Sequence, residues 1–167
     1  MDLSKFLNLD LILICGLPGS GKSHFAKTYF NQNNRKRINR KEIRRFIYEM
    51  TSFGEKWKEE YFEDQDEILV KHVERKILEH FLQNKRRVLI DNTSATTDSR
   101  KNYITTAKQM NKSIGIIFLN TPLQKCLARN QSREDPLMDT IISNLYTGME
   151  LPEKNEGFKE CAVVNNY

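Results

Sequence analysis

Gly16-Leu-Pro-Gly-Ser-Gly21-Lys22-Ser23 sets glycines, a lysine and a hydroxyl at the spacing G-x-x-x-x-G-K-[ST], a pattern whose chemistry is phosphate binding. The turn made by Gly16, Pro18, Gly19, Ser20 and Gly21 would aim backbone N–H groups into one concavity that takes phosphate oxygens. A helix starting at its end adds the partial positive charge of an N-terminus. In such a cradle Lys22 bridges the β- and γ-phosphates of a nucleoside triphosphate, ATP here, and the Ser23 hydroxyl is the ligand for Mg²⁺. The alternative is a glycine-rich turn without nucleotide. Against it stands the context the mechanism demands, an apolar strand before the turn and a helix after it.

Other residues suit the same chemistry. Phosphoryl transfer needs cations converging on the migrating group. Arg129 and Arg133 stand one helical turn apart and can reach the same phosphates from a lid; the plainer alternative is an exposed helix face. Asp91 ends the apolar run Val88-Leu-Ile-Asp91, at the carboxyl edge of a sheet where ligands bind in open α/β folds. There it would orient an acceptor or hold Mg²⁺ through water, or merely cap the following loop. Arg35, Lys36, Arg37, Arg40, Lys41, Arg44 and Arg45 crowd one short segment with Glu42 as the opposing charge, and the stretch from Glu55 to Glu67 is mainly acidic. That polarity suggests a basic surface with a specific task, or a solvated charged face. His24, His72 and His80 lack metal-type spacing.

The elements that must position these groups follow from apolar periodicity. Asp10 to Cys15 reads as a strand buried on both faces. From Gly21 to about Phe30 the spacing of Phe25, Ala26 and Tyr29 is helical, and Asn31 to Asn34 breaks it. Ile38 sits in a second, very short strand. Helices are expected over Lys41–Met50 and over Trp57–Gln83, with Trp57, Tyr61, Phe62 and Phe81 packed along the latter. Val88–Asp91 is a strand, Asp98–Met110 a helix and Ser113–Leu119 a strand. A helix starts at Pro122 and runs to about Gln131. Leu137–Met149 is helical and Ala162–Val164 is a last strand. Strands alternating with helices imply βαβ units, hence an α/β fold: a parallel sheet flanked by helices, in a single domain over residues 1–167.

Composition bounds the rest. A chain of 167 residues with 38% hydrophobic and 29% charged content can bury a core without disulfide or metal staples. Cys15, Cys126 and Cys161 are scattered with no C-x-x-C, which fits a reducing, cytoplasmic setting. The early apolar stretch Leu11–Cys15 is too short for a signal core or a membrane span. A net charge of +5 is a mild bias toward polyanions such as nucleic acid.

The order Asn39-Arg40-x-x-x-Arg44, Ile90-Asp91-Asn92-Thr93 and Arg129-Asn130-x-x-Arg133 resembles the polynucleotide 5′-hydroxyl kinase family in its phage and animal forms. Glu150-Leu151-Pro152 and Glu156-Gly157-Phe158 resemble the tail of animal and some bacterial members. The likeness runs from Leu11 to about Val164. It implies a P-loop NTPase-type kinase fold with a helical lid, and transfer of the γ-phosphate of ATP to a 5′-OH end of DNA or RNA. It further implies that Arg133 is the transition-state arginine and that Arg40 and Arg44 contact acceptor phosphates. Asn92 and Thr93 would join them on the acceptor side.

At the position after Asn-Arg the family carries the aspartate that takes the proton from the attacking hydroxyl; this chain has Lys41. An ordinary lysine, with a pKa of ~10.4, is protonated at neutral pH and is no base. Either Glu42 or Asp91 substitutes, Asp91 being better placed because Glu42 points about 100° away on a helix; or transfer proceeds slowly without a base; or the chain binds its ligands and transfers poorly. If the missing base limits turnover, Lys41→Asp raises the rate. Two rivals to a 5′-end kinase are a kinase of another hydroxyl, on a small metabolite or an aminoacyl-tRNA, and a weakly catalytic module that binds ATP and nucleic-acid ends.

Overall fold

A computed structural model describes residues 3–31 and 35–165. The expected break after Asn31 falls mostly on residues 32–34, outside the described residues. Five strands, β1 (Leu11–Cys15), β2 (Lys36–Ile38), β3 (Val88–Asp91), β4 (Ile114–Asn120) and β5 (Glu160–Asn165), form one sheet in the order β2-β3-β1-β4-β5. Every pairing is parallel. The helices are α1 (Ser4–Leu7), α2 (Lys22–Phe30), α3 (Arg40–Thr51), α4 (Asp64–Gln83), α5 (Thr97–Gln109), α6 (Leu123–Gln131) and α7 (Asp139–Thr147).

The period-two geometry of β1 divides its side chains between two cores. Leu11, Leu13 and Cys15 pack with Leu78 and Leu82 of α4 and Tyr103 and Ala107 of α5. Ile12 and Ile14 pack with Phe6 of α1 and with Phe25, Ala26 and Phe30 of α2. A central strand covered on both faces must be apolar throughout, and all five residues of β1 are buried. Because β1 lies between β3 and β4, its carboxyl end and that of β3 open side by side, which sets the turn after Cys15 against Asp91.

Two expectations need correction. The helix expected from Trp57 begins at Asp64, after a 3-10 turn at Glu59–Tyr61. Trp57, Tyr61 and Phe62 therefore do not lie along α4. Trp57 lies under Lys41 and Arg44, with the two cations 5.2 and 6.0 Å from its ring centroid, and Phe62 is 4.9 Å from Arg44. The basic segment is not one surface either. Arg35 is buried, its guanidinium donating to the carbonyls of Leu9 (2.9 Å) and Val88 (3.0 Å), among others. Burial, with repulsion from Arg87, pushes it down to about 10.

The C-terminal segment is fastened by a residue the sequence reading passed over. Arg100 on α5 is wholly buried, and its Nε and Nη2 each donate to the Glu156 carboxylate at 2.8 Å. Nη1 donates to the Glu150 carbonyl at 3.0 Å. Burial pushes the Glu156 carboxyl up, but the Arg100 hydrogen bonds, the Glu153 N–H and the Arg100 charge together outweigh it and leave the pKa below 4.5. The Glu-x-Pro and Glu-Gly-Phe residues thus seat the last strand, with Phe158 in the core. Glu156→Gln leaves a buried guanidinium without its counter-charge and is expected to cost roughly 3 kcal/mol in urea unfolding at pH 7. Since the folded-state pKa is depressed, the contribution is present above pH 4.5 and is lost as pH falls through the folded-state value. A variant as stable as wild type at pH 7 would show the pair to be dispensable.

Candidate active site

The turn between β1 and α2 closes tightly on itself and on α6. Gly21 caps α2 with φ 94°, in the left-handed region. A Cβ at Gly19 would lie 2.3 Å from the Cys126 carbonyl oxygen, so only glycine lets α6 approach the turn. The N–H groups of Gly16 and Ser20 are used inside the fold, donating to Thr93 O (3.1 Å) and Leu17 O (3.0 Å), and Pro18 has none. Ser20 is fully buried. Pro18, Gly19, Gly21, Lys22 and Ser23 line a cleft of about 440 Å³, together with Asp91, Asn92, Thr93, Arg129 and Arg133.

The Lys22 ammonium curls over the turn and donates to Gly16 O (2.9 Å) and Leu17 O (2.8 Å). Burial pushes its pKa down to about 8; Asp91 opposes that fall and the Arg133 cation adds to it. The Ser23 hydroxyl donates to Asp91 Oδ2 at 2.7 Å. Asp91 Oδ1 is buried with no hydrogen-bond partner. A carboxylate oxygen left bare beside a serine hydroxyl fits a divalent cation held through water, since an unpaired buried acceptor is otherwise costly.

Arg37 on β2 completes this corner and was not singled out as a site residue. Its Nε and Nη2 donate to Asp91 Oδ2 at 2.9 and 2.7 Å, and its Nη1 donates to Glu42 Oε1 at 2.8 Å. Glu42, one of two candidates to replace the missing base, is thus turned away from the cleft toward Arg37, as its place on α3 requires. Asp91, the other, gives Oδ2 to Ser23 and Arg37.

On the acceptor side, α3 is capped by Asn39, whose Oδ1 accepts from Glu42 N–H (3.0 Å) and whose Nδ2 donates to the Asp91 carbonyl (2.6 Å). Arg40 donates to Glu74 Oε2 at 2.9 and 2.7 Å and to the Tyr103 hydroxyl at 3.0 Å. Asn92 accepts from Arg40 N–H at 2.9 Å and donates to Glu74 and Tyr103. Arg44 donates twice to Glu67 Oε2 at 3.1 and 2.7 Å. Arg40, Arg44 and Asn92 face the cleft, yet each is already engaged by protein groups, with Arg40 and Asn92 tying α3 to α4 and α5. Glu59 and Asp135 enclose Lys41; Glu59 belongs to the mainly acidic stretch, but no local signal singles out either carboxylate, because Lys41 lies far away along the chain.

Among curated proteins, the chain is 30% identical over 148 residues to the L-seryl-tRNA(Sec) kinase of Methanococcus maripaludis, covering 85% of this chain and 53% of that protein. It is 27% identical over 166 residues to a protein of Acanthamoeba polyphaga mimivirus named as a bifunctional polynucleotide phosphatase/kinase, covering 95% of this chain and 34% of the relative. The chain therefore spans about half or less of the curated relatives it matches. Among solved structures, Chaetomium thermophilum Kti12 in complex with ADP-AlF3 superposes with a TM-score of 0.67 at 17% identity, over 93% of this chain and 88% of that one. The Pnkp1/Rnl/Hen1 complex matches with a TM-score of 0.59 at 22% identity, over 77% of this chain and 40% of that one. At these identities the structural matches speak for the fold, a parallel sheet with a phosphate loop. Residues 11–143 match the family described as an AAA domain, most of the chain, and the protein belongs to that family as a P-loop phosphotransferase of the kinase type.

Proposed function

We propose that the protein transfers the γ-phosphate of ATP to a 5′-hydroxyl end of DNA or RNA. The observation that supports this most directly is the single cleft that joins the phosphate loop, Asp91 and Arg133 to the amino end of α3 with Arg40 and Arg44. The relative named as a polynucleotide kinase points the same way. Lys22 binds the β- and γ-phosphates, and Ser23 and Asp91 hold Mg²⁺, which neutralises charge on the phosphate oxygens when bound. Arg133 faces the migrating group, while Arg129 lies against the loop, its Nη1 donating to Gly19 O at 3.5 Å. Asn92 and Thr93 close the acceptor wall. Arg44 would have to exchange Glu67 for a phosphate of the acceptor.

A second reading is transfer to the hydroxyl of an aminoacyl-tRNA. It is favoured by the seryl-tRNA(Sec) kinase relative, although Glu59 and Glu67 in the acceptor wall would have to exchange Lys41 and Arg44 for the substrate ammonium. Incubation with γ-labelled ATP and either a 5′-hydroxyl oligonucleotide or seryl-tRNA separates the two. Label on the oligonucleotide supports the first reading. Label on the seryl ester alone overturns it in favour of the second, and ATP binding with no transfer leaves only a binding module.

Lys22 gives the donor side a pH signature. Its pKa of about 8 without nucleotide rises when the phosphates supply opposite charge. Mg·ATP binding is therefore expected to take up a proton near pH 8–9. Affinity stays level below pH 8 and falls about tenfold per unit above it until the pKa of the complex is reached. Calorimetry in two buffers of different ionisation enthalpy reads this directly; no uptake at pH 8.5 would place the lysine outside the phosphate contacts.

A further inference from the structure

Lys41 stands where three segments meet. Its Nζ lies 3.1 Å from Glu59 Oε2, 3.0 Å from Asp135 Oδ2 and 5.2 Å from the centroid of the Trp57 ring. Asp135 Oδ1 accepts from the Glu59 N–H at 3.3 Å, which closes the cluster. Lys41 belongs to the first turn of α3, and Glu59 opens the 3-10 turn ahead of α4. Asp135 lies in the link between α6 and α7, two residues beyond Arg133. Lys41, Glu59 and Arg133 all line the cleft. The bridge thus runs from the acceptor wall to the segment that carries an arginine toward the phosphate loop.

We infer that Lys41 is a positioning residue, which clasps the α6–α7 link to the acceptor wall and so fixes Arg133 over the phosphates. One exposed ion pair would do little, because solvent and side-chain freedom weaken it. Here a single ammonium is shared by two carboxylates and the face of a buried indole, and one of those carboxylates also caps a backbone N–H. The inference rests on the phosphotransfer reading and extends it. It also gives the lysine a task of its own. A carboxylate at position 41 would face Glu59 and Asp135 as a third negative charge, so the expectation that Lys41→Asp speeds the reaction is reversed.

The test compares Lys41→Met, Asp135→Asn, their combination, Lys41→Arg and Lys41→Asp, each purified as the full chain. Hydrogen exchange of residues 132–138 and the melting temperature are followed beside kcat and KM. Both single variants are expected to quicken exchange across 132–138 and lower kcat about tenfold with KM for ATP little changed, as misplacement of a transition-state group does. The double variant should be no worse than either single one, because they break the same contact. Lys41→Arg should retain most activity, and Lys41→Asp should fall below Lys41→Met. A rate gain in Lys41→Asp, multiplicative losses in the double variant, or unchanged exchange would each overturn the inference. Should the wild type transfer to no acceptor, the phosphotransfer reading fails separately, and the exchange measurement still decides whether the clasp exists.

Discussion

Lys22→Ala is expected to reduce phosphate transfer by about 10²–10³-fold, the scale for removing one preorganised charged donor from a site where negative charge is neutralised. The turn already holds this ammonium in place through the Gly16 and Leu17 carbonyls, so little reorganisation is needed when phosphates replace them. Because burial has pushed its pKa down to about 8, the folded chain carries the cation at a cost. Lys22→Met relieves that cost while keeping a similar stem. Its melting temperature should therefore equal or exceed that of wild type while transfer collapses. A residue kept for packing would lose both together. Transfer from γ-labelled ATP and a melting curve on the same sample decide the matter, and activity within about threefold of wild type would mean the phosphate loop has been misread.

The parts of this molecule that could be read in the sequence are those whose signal is local. The phosphate loop announces itself because its glycines, lysine and serine are consecutive, and the βαβ order follows from apolar runs that must be buried on both faces. No α-helix spans Trp57 to Phe62: Trp57, Tyr61 and Phe62 mimic helical spacing, but Trp57 and Phe62 lie under Lys41 and Arg44 and Tyr61 stacks on Tyr48. The basic segment shows the same limit more sharply. Lys and Arg clustered along the chain look like one surface, yet Arg35 is buried among carbonyls, Arg37 goes to Asp91, Arg40 to Glu74 and Arg44 to Glu67. No local rule links residues so far apart, and the charge of a segment is a property of the sequence only until tertiary contacts neutralise it.

Arg133→Ala is the second large effect expected, again about 10²–10³-fold in kcat, because an arginine aimed at a migrating phosphoryl group acts chiefly in the transition state. Among the described residues no carboxylate lies within ion-pair distance of its guanidinium, whereas Arg40, Lys41 and Arg44 in the same cleft are paired. It is also close enough to Lys22 to depress that lysine's pKa. Arg129, by contrast, leans on the Gly19 carbonyl, so Arg129→Ala should cost less. Arg133→Lys should recover only part of the rate, since a point charge cannot reproduce the planar fork on two phosphate oxygens. The electrostatic link to Lys22 supplies a check that needs no turnover. Without the neighbouring cation the Lys22 pKa should rise, and the pH above which Mg·ATP binding weakens should move upward in Arg133→Ala. A large loss of rate with no such movement would place Arg133 far from the phosphate loop, acting through the fold of the α6–α7 link, and a rate close to wild type would remove it from the site altogether.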